Sequence, residues 1–100
     1  MSKNWNNKKS RELFNALLSL KDTYEVANFC RDLMTEQEIE EFASRFEVAK
    51  KLYEGGTQRK ISKETGVSIA TVTRVNQWLL RGMNGYQTVL KRLHPHPHRG

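Results

Sequence analysis

The stretch from residue 57 to residue 80 constrains the fold of this chain more than any other. Its sequence is TQRKISKETGVSIATVTRVNQWLL. Thr57 is placed to accept the free backbone N–H groups that begin one helix, and Ser68 those of a second. Gly66 stands between them, where the residue after a helix often adopts a positive φ that costs other residue types about 1 kcal/mol or more. The spacing predicts a helix-turn-helix.

The second predicted helix has two chemically different faces. Val72, Val75 and Leu79 recur at spacings of three and four, which predicts an apolar stripe turned toward a core. The other face consists of Ile69, Ala70, Thr71, Thr73 and Arg74. Small and hydroxylated side chains let a helix approach base edges, and threonine and isoleucine can meet a thymine methyl. This composition is typical of a recognition helix, although glycine and serine also punctuate helical domains that bind nothing.

The charge distribution favours an anionic ligand for this segment. Residues 57–81 contain five basic residues and one acidic residue, a net charge of +4. Residues 35–54 contain six glutamates and three basic residues, a net charge of −3. The basic excess therefore coincides with the helix-turn-helix, and the phosphates of nucleic acid are the expected counter-charge.

Length and composition exclude several classes of protein. A chain of 100 residues with 37% hydrophobic residues is long enough for one domain with a core. No apolar run approaches the roughly 20 residues of a membrane span, and no secretory signal is recognisable, so we expect a cytoplasmic protein.

Cys30 is the single cysteine and is interpreted as a small buried residue. No cysteine–histidine spacing or isolated histidine supports a metal site or catalysis, so we expect no enzyme.

The rest of the chain predicts an all-α fold of about six helices. Residues 1–10 are interpreted as a flexible basic arm, 11–93 as a single helical domain and 94–100 as a disordered tail rich in histidine and proline. A metal site on His94, His96 and His98 is the alternative for this tail, but a flexible segment lacks the second shell of a specific site. The tail follows a predicted short helix that ends at Leu93.

Two capping boxes mark the starts of further helices. Asp22 with Glu25 begins the second helix, and Thr35 with Glu38 begins the longest one, which ends at Gly55. The first two helices are short, and helices of about three turns are marginal alone in water. They must therefore dock on the chain's own core or on a second subunit.

A long segment resembles the core of the bacterial Trp repressor family. It is LMTEQEIEEFASRFEVAKKLYEGGTQRKISKETGVSIATVTRVNQWL, in which the strongest match is SIATVTR, preceded by TQRKI and SRF. The resemblance covers roughly residues 33–80. It implies an intertwined homodimer in which the first helices of each subunit wrap around the other and the helix-turn-helix units project outward.

The resemblance implies a set of contacts with double-stranded DNA. The lysines of the first helix of the motif and the N-cap of the second are added to the residues that the resemblance implies. The candidate DNA-binding residues are then Gln58, Arg59, Lys60, Lys63, Ser68, Ile69, Ala70, Thr71 and Thr73. Arg59 is the best candidate for a base contact, because a guanidinium can bond guanine O6 and N7 together. The family has a lysine where this chain has Ser62. Lys63 is the nearest substitute, but it points about 100° further around the helix.

The resemblance also implies a pocket for L-tryptophan. The candidate pocket residues are Met34, Thr35, Arg45, Arg74, Val75 and Trp78. In the family pattern the ligand's indole lies between two arginines, which match Arg45 and Arg74. A glycine of the pattern is Val75 here and a serine is Trp78, and both changes add bulk. We therefore predict that tryptophan is not the effector. The alternative is that Trp78 packs in the dimer core and a reshaped pocket persists.

The combined prediction is a sequence-specific DNA-binding transcriptional regulator, a repressor, that acts as a homodimer on a two-fold symmetric operator. No cofactor is certain. The alternative is a helical interaction protein or RNA-binding adaptor that uses the same basic face.

Overall fold

The computed structural model describes residues 4–94, and in that range it contains six α-helices and no strand. This confirms the predicted all-α class. The helices are α1 (Lys8–Leu18), α2 (Thr23–Leu33), α3 (Glu36–Tyr53), α4 (Gln58–Thr65), α5 (Ile69–Arg81) and α6 (Gly85–Leu93).

The chain divides into two compact units, Met1–Ile39 and Glu40–Gly100. The single domain over 11–93 stays a prediction, and residues 1–3 and 95–100 of the predicted arm and tail lie outside the described range.

The predicted N-caps of α2 and α3 are confirmed, but the predicted capping box of α2 is not complete, because the Glu25 carboxylate accepts from the Lys21 backbone N–H. Asp22 accepts a hydrogen bond of 2.9 Å from the Glu25 backbone N–H. Thr35 and Glu38 form a complete capping box, because each accepts from the backbone N–H of the other, at 2.9 and 3.0 Å. These bonds satisfy backbone donors that have no partner within the helix, and each cap is worth about 1 kcal/mol.

The first helix begins earlier than the sequence indicated. We expected the arm to extend to Ser10, because it contains little apolar surface. Instead α1 begins at Lys8, where Asn7 accepts from the Ser10 backbone N–H at 3.0 Å and Ser10 accepts from the Asn7 backbone N–H at 2.8 Å. This local capping box determines where the helix begins, although the first residues of the helix are polar.

The core of the second unit is formed by α3, α4, α5 and α6. Its buried residues are Val48, Ala49, Ile61, Val72, Val75, Leu79 and Leu90. The predicted inward face of α5 is confirmed, as is the inward position of Ile61. Full burial of an aliphatic side chain contributes about 1.5–3 kcal/mol, so these contacts hold α4 and α5 together. The predicted stripe on α3 is only partly buried, since Phe42 remains 44% exposed.

The first unit contains no such core. Neither α1 nor α2 contains a buried residue. Apolar side chains on these two helices remain exposed, among them Phe14, Leu17, Leu18, Tyr24, Val26 and Leu33.

Candidate nucleic-acid interface

The turn between α4 and α5 is fixed by one glycine and by side-chain hydroxyls. Gly66 adopts a left-handed conformation with φ of 77°, as its position after α4 predicted. The Thr65 hydroxyl donates to the Ile61 carbonyl at 2.7 Å and accepts from the Val67 backbone N–H at 3.2 Å. The Ser62 hydroxyl donates to the Val67 carbonyl at 2.7 Å. The turn therefore has few unsatisfied backbone groups and holds α5 in a fixed relation to α4.

Ser62 has a structural role that the sequence did not show. It stands where the family resemblance implies a lysine, and the sequence indicated only Lys63 as a replacement for that charge. Its hydroxyl instead closes the turn from within α4. The bond spans five residues and depends on the turn's conformation, which explains why sequence spacing alone did not predict it.

Most of the candidate DNA-binding residues are accessible to a large ligand. Those exposed are Arg59, Lys60, Lys63, Ser68, Ile69, Ala70 and Thr73. Gln58 and Thr71 are half-buried. The predicted caps are confirmed here as well, because Thr57 accepts from the Lys60 backbone N–H and Ser68 from that of Thr71, both at 3.2 Å.

The positive charge of this surface is not neutralised by neighbouring carboxylates. Glu64, the one acidic residue of the segment, lies 3.9 Å from Lys51 of α3. Within residues 4–94, Arg59, Lys60 and Lys63 make no ion pair with a carboxylate. The cationic side chains on α4 are therefore available to phosphate.

Two hydroxyls of α5 have different hydrogen-bond partners. The hydroxyl oxygens of Thr71 and Ser68 lie 3.1 Å apart and form one hydrogen bond. Thr73 donates its proton to the side-chain oxygen of Gln58 at 2.8 Å. The second bond joins α5 to the first residue of α4.

A cavity of about 320 Å³ lies between α3 and α5. Its walls are formed by Glu41, Ser44, Arg45, Val67, Thr71, Arg74 and Trp78. Three of the predicted pocket residues, Arg45, Arg74 and Trp78, therefore meet at one place. The Arg45 guanidinium is already engaged, since it lies 5.4 Å from the Phe42 ring centroid, 5.8 Å from that of Trp78 and 3.9 Å from the Glu41 carboxylate.

The remaining predicted pocket residues are Met34, Thr35 and Val75. Met34 and Thr35 belong to the first unit, where Thr35 caps α3. Val75 is fully buried in the core and does not line the cavity. Its spacing from Val72 and Leu79 turns it toward the core, and its predicted role in filling a ligand pocket stays a prediction.

A second, more apolar cavity of about 590 Å³ was not predicted. It is lined by Arg45, Phe46, Trp78, Gly82, Met83, Gly85, Tyr86 and Val89. Burial raises the pKa of Tyr86, and the charge of Arg45 partly opposes this shift. The phenol therefore stays neutral at physiological pH. Trp78 lines both cavities. The sequence did not predict this, because the second cavity depends on how α6 packs against α5.

Two further properties concern the described part of the chain. No cluster of three or more histidine, cysteine, aspartate or glutamate side chains is arranged to bind a metal between residues 4 and 94. None of the described helices is both long and apolar enough to span a membrane.

The six helices and the basic helix-turn-helix are those of a regulatory DNA-binding protein. The family model for the Trp repressor protein matches residues 8–94, and the chain belongs to this family. This confirms the resemblance found in the sequence. Members of the family are DNA-binding regulators and not enzymes.

Individual proteins are similar to this chain over most of its length. The uncharacterized protein YerC of Bacillus subtilis strain 168 is 48% identical over 82 residues, which are 82% of this chain and 79% of that protein. The crystal structure of a TrpR-like protein from Eubacterium eligens ATCC 27750 has a TM-score of 0.87 and 40% identity, covering 98% of this chain and 100% of that one. A proposed Trp repressor from Staphylococcus aureus has a TM-score of 0.86 and 33% identity, covering 97% and 100%.

Proposed function

We propose that this protein is a cytoplasmic transcriptional repressor that binds a two-fold symmetric operator in double-stranded DNA as a homodimer. The observation that supports this most strongly is the exposed cationic surface of α4, which lies beside the start of α5 and whose Arg59, Lys60 and Lys63 make no ion pair among residues 4–94. Exposed cations beside a recognition-helix start fit the phosphates that flank a major groove.

The contacts divide into those that position the protein and those that read sequence. Lys60 and Lys63 place their charges against phosphates, which are the same for every sequence. Arg59 reads a guanine edge, and Ile69 and Ala70 approach base edges at the start of α5. The Thr71 hydroxyl contacts a phosphate oxygen.

The exposed apolar side chains of α1 and α2 support the homodimer. Leu18 is 82% exposed and Tyr24 is 76% exposed. Helices of 11 residues without a core are marginal in water, so a surface must cover them. A second copy of the chain supplies such a surface and also gives the two-fold symmetry that an operator palindrome requires.

The protein binds its operator without L-tryptophan. The rings of Phe42 and Trp78 already lie against the Arg45 guanidinium, which removes the face that a ligand's indole needs. A cavity remains between Arg45 and Arg74, so the proposal requires a direct binding measurement.

A gel-shift assay with genomic fragments at two salt concentrations tests the proposed function. A specific regulator retains one preferred fragment in the presence of excess competitor DNA, with an affinity that falls as salt rises. The adaptor alternative predicts equal loss of all DNA fragments to competitor, or preference for an RNA competitor. Either of those results would reject the operator-binding role.

A further inference from the structure

The hydrogen bond between Thr73 and Gln58 joins two residues that were both expected to contact DNA directly. The Thr73 hydroxyl donates to Gln58 Oε1 at 2.8 Å, across 15 residues of sequence. Gln58 is the first residue of α4, and Thr73 lies on the exposed face of α5. The bond therefore connects the two helices of the motif on the face that carries candidate DNA-binding residues.

Proton counting distinguishes the roles of these two residues. A hydroxyl has one proton, and the Thr73 proton is already given to Gln58. A DNA phosphate offers only acceptors, so Thr73 cannot donate to it while the bond to Gln58 exists. The Gln58 amide nitrogen has two protons, and it donates to no acceptor within residues 4–94. The available donor of the pair is therefore on Gln58.

The bond also fixes the direction of that donor. A carboxamide is planar, so holding its oxygen on Thr73 sets the direction in which its nitrogen points. A free glutamine side chain occupies many rotamers, and restricting them before binding lowers the entropic cost of the contact.

We propose that Thr73 is a positioning residue, whose hydroxyl holds the Gln58 amide so that its nitrogen donates to a backbone phosphate oxygen of double-stranded DNA. The inference rests on the proposed DNA-binding function. It assigns the direct contact to Gln58 and removes it from Thr73.

A double-mutant cycle tests this assignment. Thr73→Val keeps the branched shape and removes the hydroxyl, and Gln58→Ala removes the amide. Each single change is expected to weaken operator binding about threefold to tenfold for each copy of the contact, as loss of one neutral hydrogen bond does. The double variant is expected to bind no more weakly than Gln58→Ala alone, because Thr73 acts only through Gln58. Thr73→Ser is expected to keep wild-type affinity, because serine retains the hydroxyl.

Thr71→Val is the matched control. Thr71 lies on the same helix and is bonded to Ser68, not to Gln58, so its effect is expected to add to that of Gln58→Ala. All these residues are uncharged, so the salt dependence of binding is expected to stay the same in every variant. In the free protein, Thr73→Val is expected to shift the side-chain amide resonance of Gln58.

Two outcomes separate the inference from the function on which it rests. If wild-type protein is specific but Thr73→Val weakens binding equally with and without Gln58, the positioning role is wrong and the proposed function stands. The same conclusion follows if Thr73→Val acts by loosening the fold, because that effect also persists without Gln58. If wild-type protein prefers no DNA fragment, the proposed function fails, and the positioning role fails with it.

Discussion

At the scale of single residues, the hydroxyl groups of the helix-turn-helix fall into two sets. The hydroxyls of Ser62 and Thr65 donate to backbone carbonyls and stabilise the turn. The Thr73 hydroxyl donates to the Gln58 side chain, whereas the Thr71 hydroxyl is bonded to the Ser68 hydroxyl. Residue type alone therefore does not separate structural threonines from those able to contact a phosphate.

The basic residues of α4 are expected to differ in what their loss does to DNA binding. Arg59→Ala is expected to relax base preference at one operator position, where a bidentate contact discriminates by about 1–3 kcal/mol. Lys63→Ala is expected to weaken binding to all sequences and to lower the salt slope by about 1. Selection of bound sequences from random DNA measures the first effect, and titrations at several salt concentrations measure the second.

Lys60→Ala is expected to have the same effect as Lys63→Ala, because both residues are exposed lysines on the same helix. An unchanged consensus and affinity for Arg59→Ala would show that this arginine does not read a base.

The Arg45 environment predicts that the protein does not respond to L-tryptophan. Calorimetry is expected to show no saturable binding at micromolar concentrations, because Phe42 and Trp78 lie against Arg45 already. Trp78→Ser provides the comparison, since it removes the ring that lines the cavity. Micromolar binding to the wild type, together with a gain in operator affinity, would show that the cavity is an open tryptophan site.

At the scale of elements, the turn after α4 depends on the conformation of Gly66. An added Cβ at Gly66 meets no atom within 4 Å, so the cost of Gly66→Ala comes from its φ of 77° alone. We expect it to lower the free energy of unfolding by about 1–2 kcal/mol. Gly85→Ala is the matched control, because a Cβ there also meets nothing within 4 Å.

Denaturant unfolding of the two variants measures this difference. Gly85 lies in α6 and alanine is favoured in a helix, so this change is expected to be neutral or stabilising. Equal losses in both variants would show that the left-handed conformation is not the cause.

The sequence predicted those elements whose causes are local. The Thr35 and Ser68 caps, Gly66 and the apolar face of α5 follow from residue spacing within a few positions. The bond between Thr73 and Gln58 and the apolar cavity of about 590 Å³ depend on packing between separate helices, which spacing does not show. The core position of Val75 follows from its spacing and is confirmed by its burial, while its place in a ligand pocket stays a prediction.

At the scale of the whole molecule, the contrast between the two units leads to a prediction about assembly. The first unit leaves Leu18 and Tyr24 exposed, while all buried residues described lie in the second. If a second copy covers the first unit, folding and association are coupled, and the thermal unfolding midpoint is expected to rise with protein concentration. Sedimentation at micromolar concentration is expected to give the mass of a dimer.

A charge placed on α1 tests which surface is covered. Leu18→Glu is expected to lower the midpoint and favour the monomer, because burying an unpaired carboxylate is costly. Asn15→Glu adds the same charge at an exposed polar position of α1 and is expected to have little effect. A folded monomer with intact helices in the wild type would contradict the coupled assembly.

The position of Trp78 gives the protein an intrinsic optical probe. The sequence contains two tryptophans, and the other, Trp5, lies near the N-terminus against Phe14. Trp78 is 40% exposed, lines both cavities and lies beside a guanidinium, so its emission depends on what enters either cavity. In a Trp5→Phe background, changes in fluorescence wavelength and quenching would therefore report small-molecule binding without any attached label.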